Sequence, residues 1–169
     1  MKHAIALLLI VMASAPAHAA DKTDDPLHDE SMRVSQQFCA DAKTTLDYNA
    51  CSGEELAQAQ AELSATFAAA LAKWQDSQET ADALRHAQKA WEVTFEADVA
   101  ARFAEADAAR ARSDGVGTAY VSAYNWYEAQ LTRARAVQLC EFLRGAAYGE
   151  RDTAPCDQLV KQVLNEQKK

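Results

Sequence analysis

Four cysteines are the residues whose chemistry the sequence indicates most directly. Eleven residues separate Cys39 from Cys51, and fifteen separate Cys140 from Cys156. Three pairings are formally possible. We favour Cys39–Cys51 with Cys140–Cys156, because each bond closes a short loop beside a predicted helix end and could stabilise the fold by ~3 kcal/mol. The chain has no CxxC motif, so we expect no metal site and no cofactor.

Carboxylates and hydroxyls occur in patterns that only superficially resemble catalytic ones. Glu92 and Glu96 are four residues apart and share one helix face, whereas a glycosidase needs two carboxyls on opposite sides of a cleft. After residue 19 the only histidines are His28 and His86, and there is no GxSxG, P-loop or HExxH motif. The sequence therefore predicts no catalytic residues, and we expect that the protein is not an enzyme.

Aromatic and polar side chains at helical spacing offer two interpretations. The aromatic residues could form a platform for a sugar or another ligand, but packing inside a helical bundle is favoured. They are Tyr120, Tyr124, Trp126 and Tyr127. Gln88 lies among apolar neighbours, so it is predicted to join two helices by hydrogen bonds. Arg133 and Arg135 are expected to form ion pairs between helices, or to offer donors to a partner's carboxylate.

The N-terminal residues predict export. Residues 1–19 contain Lys2, an apolar run and a small-residue site Ala17-His18-Ala19, as in a cleavable signal peptide. Residues 20–30 form a predicted flexible acidic leader, and residues 31–169 the folded domain. The periplasm is the expected location, with full secretion as the alternative. Cleavage removes Lys2 and changes the formal charge from -8 to -9, which argues against nucleic-acid binding. No later segment is long and apolar enough to predict a membrane span.

Helix-breaking residues lie only at a few joints. Residues 54–114 and 118–144 contain neither Gly nor Pro, and apolar residues within them recur at helical spacing. We predict main helices at about 54–75, 79–112 and 118–144, with a capping box from Ser52 to Glu55 and a hairpin near Asp76-Ser77. A short helix is predicted at 157–166. The expected fold is all-α: a compact antiparallel bundle of three main helices with short terminal helices, braced by disulfides.

Three short segments carry a family resemblance. They are residues 39–51 (CADAKTTLDYNAC), 87–91 (AQKAW) and 131–135 (LTRAR). Together they resemble the N-terminal domain of the lysozyme inhibitor LprI family over most of the span from Cys39 to Leu143. The family's Arg-Asp-x-x-Cys-like run after the tryptophan is replaced here by a segment without cysteine, so the second disulfide must use Cys140 and Cys156. The resemblance implies a small exported helical protein and, from the family's name, inhibition of lysozyme.

Two functional hypotheses follow. The protein either binds a lysozyme-type muramidase and covers its cleft, or acts as a non-catalytic structural or interaction module of the cell envelope. Negative charge would steer encounter with a basic enzyme. The predicted partner-binding residues are those of the glycine-containing loop: Asp114, Gly115, Val116 and Gly117. The glycines permit a narrow tip and Asp114 could meet a cationic rim, while the alternative is a plain helix connection.

Overall fold

The described residues of the computed structural model are 38–145, 147 and 149–167. They form four helices and no strand: α1 Thr45–Lys73, α2 Gln78–Ala111, α3 Tyr120–Leu143 and α4 Cys156–Glu166. The predicted all-α fold with three long helices and a short C-terminal helix is confirmed. The predicted signal peptide, the acidic leader and the predicted short N-terminal helix lie outside the described residues.

Helix α1 begins earlier than predicted. Thr44 caps it: its hydroxyl accepts a hydrogen bond from the Asp47 backbone at 3.2 Å, and the Asp47 carboxylate accepts one from the Thr44 backbone at 2.9 Å. These backbone donors, with that of Lys43, lower the pKa of Asp47. The predicted capping box at Ser52 is therefore wrong. The same pattern of a hydroxyl and an acid three residues later occurs at Thr44, and Ser52 lies buried inside the helix.

The predicted hairpin between the first two helices is present. Helix α1 ends at Lys73, and Trp74 caps it through a backbone bond to Ala70. The Ser77 backbone then donates to the Trp74 carbonyl at 3.0 Å, and α2 starts at Gln78. A break here folds the two apolar stripes onto one core instead of spreading them along a single rod.

Helices α1 and α3 run parallel and form the closest helix pair. Near their N-terminal ends the Ser122 backbone donates to the Asn49 side chain at 3.1 Å. Near their C-terminal ends Lys73 Nζ donates to the Leu143 carbonyl at 2.7 Å. The chain thus runs up through α1, down through α2 and up again through α3, so sequence neighbours are antiparallel and the first and third helices pack directly.

Small residues explain why α1 and α3 lie so close. The buried positions on their facing surfaces are mostly alanine, serine and threonine, which let helix backbones approach. On α1 these are Ser52, Ala59, Thr66, Ala69 and Ala70; on α3 they are Ser122, Ala129, Thr132 and Ala136. We call this contact the α1–α3 seam.

Large side chains hold α2 further away. Phe103 of α2 meets tyrosines of α3, with a centroid distance of 4.9 Å to Tyr124. Leu84, nearer the start of α2, is almost fully buried. Helix α2 therefore lies along α3 through a layer of aromatic and aliphatic side chains, while much of its opposite face is exposed.

The main apolar cluster lies at the end of the molecule that carries α4. It is formed by Ala69, Ala70, Leu84, Leu139, Cys140, Leu143 and Leu159. The bond Cys140–Cys156 attaches the start of α4 to α3, and Cys39–Cys51 joins α1 to the segment before it. The favoured pairing of the cysteines is thus the one in the structure. One bond lies near the N-terminal end of α1 and the other near the C-terminal end of α3.

None of the helices that the structure describes has the combination of length and apolar character needed to cross a membrane.

Removing the Cys140–Cys156 bond should loosen α4 specifically. With both cysteines changed to alanine, we expect the free energy of unfolding in urea to fall by about 3 kcal/mol, because the unfolded chain gains the freedom of an opened loop. Limited proteolysis between residues 145 and 155 should accelerate, since α4 then loses its covalent link to α3.

The matched control changes Cys39 and Cys51 to alanine. That variant should also lose stability, but cleavage between residues 145 and 155 should stay at the wild-type rate. Equal acceleration in both variants would show that the second disulfide does not act locally on α4.

Candidate functional site

The predicted partner-binding loop joins α2 to α3 at the end of the molecule opposite α4. Asp114, Gly115 and Gly117 are exposed, and Val116 is half-buried. Ser113 and Gly115 have φ angles of 61° and 75°, and glycine adopts such left-handed backbone without strain. The chain therefore reverses in a narrow exposed tip.

Local contacts order this tip. The Asp114 backbone donates to the Ala109 carbonyl at 3.0 Å, and the Tyr120 backbone donates to that of Gly117 at 3.0 Å. The Asp114 carboxylate accepts from Arg112 Nε at 2.7 Å. Asp114 is thus already paired with a cation of its own chain, and a partner's cation would have to join or replace Arg112.

Behind the loop, the tyrosines of α3 pack on Phe103 of α2. Centroid distances from Phe103 are 5.7 Å to Tyr120, 4.9 Å to Tyr124 and 5.9 Å to Tyr127. Trp126 instead lies against Tyr48 of α1, at 6.0 Å. The aromatic stripe therefore divides between two contacts of the bundle and does not form one open platform.

One edge of this aromatic cluster is polar. The Tyr120 hydroxyl donates to Asp107 Oδ1 at 2.6 Å, which raises the pKa of Tyr120 because the bond favours the protonated phenol. The Arg110 guanidinium lies over the Tyr120 ring, 4.9 Å from its centroid. Beside these groups, Val121, Tyr124 and Asn125 complete a cavity of about 330 Å³.

Gln88, Trp91 and Arg135 meet between α2 and α3. Arg135 Nε donates to Gln88 Oε1 at 3.0 Å, and the guanidinium carbon lies 6.0 Å from the Trp91 ring centroid. Burial lowers the pKa of Arg135. Its Nη1 donates to Gln138 at 3.2 Å, while Nη2 has no hydrogen-bond partner within the described part of the chain. The structure thus brings Gln88 and Trp91 of the AQKAW segment together with Arg135 of the LTRAR segment, as a contact between helices.

Arg133, also of the LTRAR segment, lies in the α1–α3 seam. Its Nη1 donates to Glu55 Oε1 at 2.5 Å, and its Nε lies 3.8 Å from Glu62 Oε2. The Glu55 side chain is fully buried and that of Arg133 is 15% exposed. The predicted role of Glu55 in a capping box is therefore wrong. The spacing that Glu55 shares with Ser52, Ala59 and Thr66 is the sequence signal for its buried position.

A groove between α1, α3 and α4 is a feature that the sequence did not predict. It has a volume of about 650 Å³, with Ala65, Val137 and Leu164 among its apolar walls and Arg133 and Lys161 among its charged residues. It arises because α4 covers only part of the surface that α1 and α3 share.

The described residues contain no group of three or more His, Cys, Asp or Glu side chains placed to hold a metal ion. Glu92 and Glu96 are both exposed on α2, and Glu92 accepts a hydrogen bond from Gln88 at 3.3 Å.

Loss of the Arg133 cation should reveal how far the stability of the fold depends on its ion pair with the buried Glu55. Changing Arg133 to methionine keeps much of the side chain's volume but leaves the Glu55 carboxylate buried without this cation. We expect the free energy of unfolding in urea to fall by about 3 kcal/mol. The control is Arg85→Met, because Arg85 pairs with Asp82 at 2.8 Å on the exposed surface. A loss as large in the control would contradict a special role for the buried pair.

Glu128 should make stability depend on pH in a direction that burial dictates. Burial raises the pKa of Glu128, and a hydrogen bond from Tyr124 opposes this only in part. Well below the ordinary pKa of a glutamate, Glu128 is protonated in both the folded and the unfolded state and does not affect stability. As pH rises from the ordinary pKa through the raised pKa, ionisation favours the unfolded state, so the free energy of unfolding falls. Above the raised pKa this loss is constant. Glu128→Gln should therefore raise the midpoint of thermal unfolding at pH 7 but not near pH 3. A stabilisation of equal size at both pH values would contradict this.

A comparison with known families matches the chain to the model of the lysozyme inhibitor LprI family over residues 39–139. No curated protein and no solved structure matches the chain. The match starts at Cys39, spans α1, the hairpin, α2 and the loop, and stops at Leu139, before Cys140 and α4. It covers more than half of the 169 residues. The chain therefore belongs to the lysozyme inhibitor LprI family.

Proposed function

We propose that the protein is an exported inhibitor that binds a lysozyme-type muramidase and blocks its cleft by protein–protein contact. The observation that carries this proposal is the family match over residues 39–139. Those residues include the Cys39–Cys51 bond and the small residues of the α1–α3 seam.

The proposed contact surface is the loop with Asp114, Gly115, Val116 and Gly117. An inhibitor that must fill a cleft benefits from a protruding element that is already ordered, because little conformational entropy is then lost on binding. The loop has this character: its backbone bonds to Ala109 and from Tyr120 fix its two sides. Its exposed glycines add little width to the tip.

Charge supports rapid association with a basic enzyme. The chain has 25 acidic and 17 basic residues, and removal of the predicted signal peptide makes the balance more negative. Such a field accelerates encounter with a cationic partner and weakens as salt is added. Because Asp114 is paired with Arg112, we expect steering to come from the whole chain and the loop to contribute mainly contact.

Export to the periplasm, or into the medium, is part of the same proposal. The predicted signal peptide and two disulfides support a compartment outside the cytoplasm, where disulfides persist. Hydrolases that attack the cell wall act in that space.

One observation favours the alternative of a non-catalytic interaction module of the envelope. The groove along α4 lies partly on residues 156–165, which the family match does not reach. A partner bound in this groove would contact residues outside the family match.

Inhibition should be measured directly. Turnover of cell-wall substrate by chicken-type, goose-type and invertebrate-type lysozymes is followed with increasing mature protein, at low and at physiological salt. We expect micromolar or tighter inhibition of at least one enzyme, with weaker inhibition at higher salt. The variant Asp114→Ala/Val116→Ala should raise the inhibition constant by about tenfold, the equivalent of ~1.4 kcal/mol.

A matched control makes the same two chemical changes elsewhere. Val93 and Asp98 are exposed on α2, Val93 by 64%, and Val93→Ala/Asp98→Ala should inhibit like the wild type. Failure to inhibit any of the three enzymes would favour the interaction module. Full inhibition by the loop variant would show that the loop is not the contact surface, without contradicting the proposal that the protein inhibits lysozyme.

A further inference from the structure

The cavity behind the loop combines polar and aromatic groups in a way that packing alone does not require. We call it the α2–α3 notch; its lining is Asp107, Arg110, Tyr120, Val121, Tyr124 and Asn125. Its volume of about 330 Å³ falls at the small end of the ~300–1,000 Å³ range typical of ligand pockets. Ligand pockets of this kind pair apolar walls with a few oriented polar groups.

The polar groups of the notch are held in place by bonds that leave part of each one available. Asp107 accepts the Tyr120 hydroxyl through Oδ1, so Oδ2 can accept from a ligand. Asn125 donates through Nδ2 to Ser52 at 3.1 Å, so its amide oxygen is an acceptor for a ligand. Arg110 lies over the Tyr120 ring, which orients the guanidinium and leaves it several N–H donors.

The apolar part of the notch is an aromatic ring and an aliphatic side chain. Tyr124 is half-buried, with Phe103 4.9 Å and Tyr120 5.8 Å from its centroid, so its ring is fixed. Val121 is 46% exposed beside it. A fixed aromatic ring offers an apolar surface at little cost in conformational entropy.

We propose that the α2–α3 notch binds a saccharide that carries an N-acetyl group. The acetamide has an N–H that Asp107 can accept, a carbonyl to which Arg110 can donate, and a methyl group suited to Val121. The C–H face of a sugar ring suits the Tyr124 ring, and its hydroxyls suit the Asn125 amide oxygen. A simple anion lacks the apolar part, and a purely apolar ligand would make no use of the Asp107 carboxylate or the Arg110 guanidinium, both of which are exposed at the edge of the notch.

This site is additional to muramidase inhibition and does not depend on it. The notch uses none of the four proposed partner-binding residues of the loop. Saccharide binding would hold the protein on N-acetylated cell-wall glycan, which is also the substrate that muramidases attack.

The test titrates the isotopically labelled mature protein with the trimer of N-acetylglucosamine and follows backbone amide signals by NMR. We expect saturable shifts at millimolar sugar or below, confined to residues around Val121, Tyr124 and Asn125. The glucose trimer, which lacks the acetamide, should give no saturable shifts. No enzyme is present, so the result is separate from the test of inhibition.

Two conservative variants and one control locate the binding. Asp107→Asn removes the carboxylate charge and Tyr120→Phe removes the hydroxyl that orients it; each should weaken binding by about fivefold or more. The control Asp82→Asn changes another exposed aspartate of α2, hydrogen-bonded to Gln78 and Arg85, and should bind like the wild type.

Several results would overturn the proposal. They are no saturable shift with the N-acetylglucosamine trimer, equal shifts with the glucose trimer, or shifts that map away from the notch. Wild-type saccharide affinity in both notch variants would also overturn it. If the same two variants no longer inhibited lysozyme, the notch would instead be a surface that contacts the enzyme.

Discussion

The close parallel packing of α1 against α3 is the constraint on which the rest of the structure depends. Alanine, serine and threonine at the facing positions let the two backbones approach, and this closeness seals Glu55 from solvent. A carboxylate there needs a cation, which Arg133 supplies from the other helix. The pair adds little net stability compared with an apolar core, but any register that separates Glu55 from Arg133 would lose this ion pair between the two helices. Small residues thus set the distance and the ion pair sets the register.

Helix α2 packs on α3 through large side chains, and the candidate sites lie along this contact. Aromatic rings fill the space between α2 and α3, so the helices lie further apart and polar groups can occupy the edges of the layer. At one edge Gln88 and Trp91 surround the buried Arg135 guanidinium. At the edge nearer the reversing loop, Asp107 and Arg110 flank Tyr120, and all three line the notch. The reversing loop beyond them projects from the same end.

The two ends of the molecule are consequently specialised. The end with α4 holds the main apolar cluster and the Cys140–Cys156 bond. The opposite end carries the Cys39–Cys51 bond, the loop and the notch, whose lining includes Asp107 and Arg110. The family match spans the loop and the notch, includes Ala69, Ala70, Leu84 and Leu139 of the apolar cluster, and stops before Cys140 and α4.

Helical periodicity, the placement of glycine and proline, and the cysteine spacing determined the fold class, the hairpin near Ser77 and the disulfide pairing. These are local properties, because they depend on residues close in the chain. The start of α1 differs from the predicted one because Ser52 and Thr44 carry the same capping pattern, and only burial against α3 distinguishes them. Tertiary structure alone decided that the first and third helices are the closest pair, that Glu55 meets Arg133 78 residues away, and that Asp107 and Tyr120 share a notch. Such contacts depend on the distance between helices, which is set by the combined size of side chains from separate segments and so has no signature in any one of them.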